Sequence, residues 1–192
     1  MQTSSSILLI SGSSHAGKST FAQSIADKVG WERLSSDRLG RHPGRPWPTP
    51  KAHVFEFYSK LSDESIYQFL LNHYENMRPG IHRLISERIA NSKPLVLEGS
   101  ALRPEYINED FKSDVAFVCL ISDAELVKER IYNESNYKHL CDEHRAVVDT
   151  FMKRTLRDNE ELRKSAEHYG VRCIGAGDEK ALEAFREGLT IP

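Results

Sequence analysis

Apolar positions along this chain form two kinds of segment that alternate from end to end. Short segments at Ile7–Ser11, Trp31–Ser35, Pro94–Glu98, Val115–Ile121 and Val171–Ile174 predict five strands, with unbroken apolar runs at Ile7–Ile10, Leu95–Leu97 and Val115–Ile121. In those three runs hydrophobicity is continuous rather than alternating, which marks strands covered on both faces, as in a parallel sheet. Between them, apolar residues recur at helical spacing over Ser19–Val29, Asp63–Glu75, Ile81–Ala90, Ala124–Asn133, Arg145–His168 and Glu179–Glu187. Ser62, followed by Ser65 and Ile66, is a helix start signal, and Arg78-Pro79-Gly80 reads as a breaker between two helices. Gly40–Pro50 reads as an irregular loop, and Glu134–Glu143 as a polar connector. The alternation predicts a three-layer α/β fold in one domain, a five-stranded parallel sheet with helices on both faces. Residues 38–92 are expected to form a substrate-binding insertion and residues 134–145 a small lid.

Composition narrows the function classes. The chain has 192 residues with 26 basic and 28 acidic side chains. No global basic field recruits nucleic acid, which is therefore not an expected partner. The longest apolar run, Val115–Ile121, is far short of a membrane span. Met1–Ser6 has neither a basic nor an apolar leader region, so no secretory signal is expected at this end. Three widely spaced cysteines, Cys119, Cys141 and Cys173, suit a reducing cytoplasm rather than a disulfide framework.

The chemistry concentrates first at Gly12-Ser13-Ser14-His15-Ala16-Gly17-Lys18-Ser19. This is the pattern Gly-x-x-x-x-Gly-Lys-[Ser/Thr], delivered by the first strand and followed by the first helix. By ordinary residue frequencies it arises by chance in such a chain with odds on the order of one per cent. In that context the loop amides, with Thr20 just beyond, wrap a polyphosphate at a helix N-terminus. Lys18 reaches the β- and γ-phosphates, and the Ser19 hydroxyl ligates Mg²⁺. The expected cofactors are ATP and Mg²⁺. The guanine-reading Asn-Lys-x-Asp motif is missing from the sequence, and the length leaves no room for a motor or transporter core. A small kinase remains.

Asp37 ends the second strand, at the sheet edge where open α/β folds bind ligands. There it can take the proton of an attacking hydroxyl, or merely cap a turn. From Arg38 to Phe55 no acidic residue occurs, while Arg38, Arg41, Arg45 and Lys51 do, among Pro43, Pro46, Pro48 and Pro50. A stiff loop bearing guanidinium groups suits recognition of a carboxylate or phosphate, the alternative being surface pairing with Asp63 and Glu64. Glu98 ends a buried strand where the metal-organising acid of a second phosphate-loop motif sits. It can act through a metal-bound water, or as the base in place of Asp37. Ser100 and Arg103 beside it are candidates for substrate binding. Arg130, Arg145, Arg154 and Arg157 are candidate charge-stabilising cations, with Glu160 and Glu161 as competing partners of the last two. His139, Cys141 and His144 have metal-ligand types but no fourth partner, and read as a chance cluster.

Together Gly12–Thr20, Ser36-Asp37, Leu39–Trp47, Glu98–Leu102 with Pro104, and Thr150–Asn159 resemble the phosphate-loop small-molecule kinases. The resemblance runs closest to bacterial proteins grouped as similar to 2-phosphoglycerate kinase. It implies a sheet order of 2-3-1-4-5 and a small-molecule hydroxyl as phosphate acceptor. Ser122–Ile131 also resembles the helix leading into the lid of adenylate kinases. That likeness implies that Arg130 faces the adenine, with the Gly175-Ala176-Gly177 loop behind it. One turn later, where a second lid arginine is expected, Glu134 stands instead. Two other readings are a polynucleotide 5′-hydroxyl kinase, disfavoured by the near-neutral charge, and a non-catalytic ATP-binding switch.

Overall fold

A computed structural model describes residues 6–40, 44–111 and 113–189. Five parallel strands form one sheet in the order β2-β3-β1-β4-β5, as expected. They are β1 (Ile7–Gly12), β2 (Glu32–Ser35), β3 (Leu95–Glu98), β4 (Ala116–Ile121) and β5 (Arg172–Gly175). Register pairs Ile7 with Leu95 and Leu8 with Ala116, so β1 lies at the centre. Alternate β1 side chains supply opposite faces, which is why the run Ile7–Ile10 reads as apolar throughout. Ile7 and Leu9 join Leu95, Leu97 and the helices α3 (Asp63–Ala90) and α4 (Pro104–Phe111). Leu8 and Ile10 join Val96, Val118 and α1 (Lys18–Val29). Each fully buried aliphatic side chain contributes about 1.5–3 kcal/mol.

Four helices differ from the pattern's prediction. Helix α3 runs unbroken for 28 residues with Pro79 inside it, where a break between two helices was expected. A mid-helix proline loses one hydrogen bond and crowds the preceding turn, at about 3 kcal/mol. The buried stripe Tyr67, Leu70, Tyr74, Met77, Ile81 and Ile85 spans both sides of Pro79 and outweighs that cost. The start signal at Ser62 is as read: its Oγ accepts from Ser65 N at 3.1 Å. The short helices α2 (Ala52–Lys60) and α4 were not anticipated. Helix α6 (Asp142–Tyr169) begins earlier than its periodicity indicated and takes in part of the connector.

A third apolar cluster lies off the sheet and shapes the site. Trp47, Val54, Tyr58, Val127, Ile131, Val148 and Phe151 bind the proline-rich segment, α2, α5 (Ala124–Ser135) and α6 together. Residues 134–145, the segment expected as a lid, are held to α5 and α6 by side-chain contacts. Tyr132 and Tyr137 stack at 3.9 Å, and their hydroxyls donate to Asp149 at 3.0 and 2.8 Å. Arg145 donates to the carbonyls of Tyr137 and Lys138, at 3.3 and 2.9 Å. Helix α7 (Glu179–Glu187) packs Ala181, Leu182 and Phe185 into the cluster on the Leu8 and Ile10 face. Among the described residues, no helix is long and apolar enough to cross a membrane.

Candidate active site

A cleft of about 870 Å³ opens at the carboxyl edge of the sheet. Its floor is the loop between β1 and α1. Gly17 holds φ at 80° and His15 at 65°, left-handed conformations that turn successive amides toward one side. Lys18 folds back, Nζ donating to Ser13 O at 2.7 Å. Burial pushes the Lys18 ammonium below its ordinary value, while the charges of Glu98 and Asp37 hold it up. Ser19 Oγ donates to Glu98 Oε1 at 3.1 Å. A hydroxyl and a carboxylate in contact are the hard oxygen donors that Mg²⁺ takes alongside nucleotide phosphates, so this pair fits the ion. Arg33 Nη1 shares the same Glu98 oxygen at 3.2 Å, balancing a carboxylate that is 3% exposed.

Asp37 lines the cleft from the turn after β2. The cap of that turn is Ser35, whose Oγ accepts from Asp37 N at 3.4 Å, which leaves the Asp37 carboxylate to the cleft. The ends of β2 and β3 are pressed together here. A Cβ on Gly99, whose φ is +156°, would lie 1.8 Å from Ser36 Oγ and 2.9 Å from its Cβ. Only glycine lets Glu98 and Asp37 face one space. Ser14 to Thr20, Ser100, Arg45 and Arg130 line the same cleft.

Several predicted site residues sit elsewhere. Arg103 is 3% exposed and away from the cleft, with Nη1 donating to Asp158 Oδ1 at 3.1 Å and Nε to Glu105 Oε1 at 3.0 Å. Burial pushes the Asp158 carboxyl up. Burial also opposes the charge on Arg103, but the carboxylates of Asp158 and Glu105 outweigh it and keep the guanidinium protonated. Arg38 is exposed and does not line the cleft. Arg41 lies outside the described residues. Gly175 ends β5 behind the cleft, and its neighbour Ala176 does the lining. Arg130 Nη1 donates to His15 O at 2.7 Å and Nη2 to Ala176 O at 3.4 Å, so it braces the phosphate loop against the β5 edge. Arg157 pairs with Glu64 at 2.6 Å, not with Glu160 or Glu161, which go to Arg163 and Lys164. Cys141 Sγ meets His144 Nδ1 at 3.1 Å, and no three-ligand metal group occurs among the described residues.

The structure also reveals two supports of the phosphate loop, Asn159, whose role pattern reading missed, and the candidate cation Arg154. Asn159 Oδ1 accepts from Ser122 N at 3.0 Å and Ser13 Oγ at 3.4 Å, while its Nδ2 donates to Ser122 O at 2.9 Å. One amide thus joins the start of the phosphate loop to the end of β4. Arg154 Nη2 donates to Ser14 Oγ at 3.2 Å and Nη1 to Tyr58 Oη at 3.1 Å. A polar pair at 158 and 159, inside the apolar stripe of α6, was the available signal for Asp158 and Asn159.

A central strand, a Gly-Lys-Ser loop and a 2-3-1-4-5 parallel sheet define the P-loop kinase fold, which this chain has. It is 28% identical over 144 residues to mevalonate-3-phosphate 5-kinase of Thermoplasma acidophilum, covering 70% of this chain and 71% of that protein. It is also 28% identical over 143 residues to 2-phosphoglycerate kinase of Methanothermobacter thermautotrophicus, covering 66% of this chain and 46% of that protein. A gluconokinase from Sinorhizobium meliloti 1021 superposes with a TM-score of 0.54 at 19% identity, covering 97% of this chain and 96% of that one. No protein-family model matches the chain. Both curated relatives are, by name, kinases of small phosphorylated metabolites.

Proposed function

We propose that the chain transfers the γ-phosphoryl group of ATP, with Mg²⁺, to a hydroxyl of a small anionic metabolite. The observation that carries this reading is the convergence of Lys18, Ser19, Glu98 and Asp37 on one cleft. The amides of residues 13–18 and the Lys18 ammonium hold the phosphates. Ser19 and Glu98 would hold the magnesium, which would neutralise charge developing on the phosphates. Asp37 takes the acceptor proton as its oxygen bonds to the γ-phosphorus. The bond to the bridging oxygen breaks and its electron pair leaves on ADP. Arg45, the arginine of the proline-rich segment that lines the cleft, supports an anionic acceptor. So do the names of both curated relatives, whose substrates already carry phosphate.

An ATP-consumption screen over phosphorylated and carboxylated sugars, polyols and hydroxy acids tests the reading. One compound should yield a phosphomonoester stoichiometric with ADP. Asp37→Asn should cut kcat by about 10²–10⁴ while MgATP binding changes little. Stoichiometric MgATP binding with no turnover across the panel would favour the switch reading instead.

A further inference from the structure

Glu134 occupies the place on α5 where the likeness to adenylate kinases calls for a second lid arginine. Its carboxylate meets His15 Nε2 of the phosphate loop at 2.9 Å and forms an ion pair with Arg45 Nη1 of the proline-rich strap. Burial pushes the Glu134 carboxyl up, but the charges of Arg45 and His15 outweigh it and leave it below the ordinary carboxylate range. Beneath this pair the ground is firm. The His15 side chain is 4% exposed, packed 5.7 Å from Trp47 and 5.8 Å from Phe151 between ring centroids. Trp47 and Phe151 themselves meet edge-on at 4.8 Å. The strap is thereby seated on the phosphate loop two residues from Arg45. The other arginines nearby are committed: Arg130 to two backbone carbonyls, Arg154 to Tyr58 and Ser14. Arg45 is engaged by Glu134 through Nη1, and its half-exposed guanidinium lines the cleft with Lys18 and Ser19.

We propose that Arg45 is a catalytic residue that stabilises the transferring phosphoryl group. The strap supplies it in place of a lid arginine, and Glu134 is the positioning residue that aims it. The inference rests on the phosphotransfer reading above. Charge spreads over the equatorial oxygens as the bond to the bridging oxygen breaks, and fixed donors facing that charge lower the barrier. A guanidinium has five N–H donors, so one carboxylate can anchor it while others face the cleft. Glu134 alone would repel a triphosphate. Paired with Arg45, it contributes orientation without net charge.

Tests use the full chain in a Trp31→Phe background, which leaves Trp47 as the sole indole reporter at the strap. Binding of MgADP, with and without aluminium fluoride, is followed by Trp47 fluorescence. Acceptor-free phosphate release from MgATP is measured alongside. The unmodified site should bind the fluoride complex about a hundredfold or more tighter than MgADP. Arg45→Gln should lose at least about tenfold of that gain, with MgADP affinity within about threefold, and phosphate release should fall about a hundredfold. The charge swap Arg45→Glu with Glu134→Arg, which returns the guanidinium to the lid side, should recover at least about tenfold over Arg45→Glu alone. Full retention of the fluoride gain in Arg45→Gln overturns the proposal, as does an equal weakening of both complexes. A folded swap no better than the single variant overturns it too; if the swap does not fold, Arg45→Gln decides. Lys18→Ala separates the two readings. If it binds both complexes like the parent, the phosphotransfer reading itself fails. If it loses them while Arg45→Gln behaves like the parent, only this inference falls.

Discussion

Replacing Gly99 by alanine should damage both stability and turnover, because this is where β2 and β3 deliver the two carboxylates. The added Cβ would lie 1.8 Å from Ser36 Oγ, 2.9 Å from Ser36 Cβ and 3.5 Å from Ser36 N. The hydroxyl can rotate away, but the Cβ contact remains below any ordinary separation. Ser36 is fully buried, so relief requires the turn carrying Asp37 to shift. Overpacking of this kind costs about 1–3 kcal/mol. A φ of +156° adds about 1–3 kcal/mol for any residue with a Cβ. The sum is about 2–6 kcal/mol, of which only the steric part depends on Ser36. Ser36→Gly removes both offending atoms and leaves the 3.5 Å backbone contact, which is ordinary. The double variant should therefore regain about 1–3 kcal/mol relative to Gly99→Ala. Urea unfolding midpoints at constant slope read the stability, and kcat on the acceptor found by screening reads the displacement of Asp37. A Gly99→Ala chain within about 0.5 kcal/mol of the parent, or a double variant with no recovery, would refute the reasoning.

Other expectations follow from the buried polar network. Arg103→Met leaves the Asp158 carboxylate without its cation and should cost about 3–5 kcal/mol, read as a lowered thermal midpoint. Because burial raises the Asp158 carboxyl above its unfolded value, the folded state holds that proton longer. The deficit of Arg103→Met should therefore shrink as pH falls from neutrality into the acid range, and urea titrations at several pH values would show it. Asn159→Ala removes both bonds to Ser122 and should cost about 2–3 kcal/mol. It should also weaken MgATP binding by loosening Ser13, which calorimetry would detect.

Much of this molecule was written in local pattern. The inner strands β1, β3 and β4 are legible because burial on both faces forces unbroken apolar runs, and β1 to β5 all fall within a residue or two of the expected segments. The phosphate loop is legible because its glycine, lysine and hydroxyl requirements are sequential. Pro79 misled because local propensity was outweighed by a stripe of tertiary contacts along α3. Arg103 was misplaced for a similar reason: its partner Asp158 is 55 residues away, and no spacing rule links them. Arg45 and Glu134 are separated by 89 positions, and only the packing of Trp47 on His15 and Phe151 brings them together. Sequential constraints show in sequence, whereas those imposed by packing need the fold.

The central claim is that the amides from Gly12 to Ser19, with Lys18, hold a nucleotide's phosphates. Backbone amide NMR during titration with magnesium and a non-hydrolysable ATP analogue tests it most directly. The account predicts that the largest shifts fall on residues 12–19, and that Lys18→Ala keeps the folded spectrum but loses most of the affinity. Saturable binding that leaves those amides unmoved, or that survives Lys18→Ala undiminished, would contradict it.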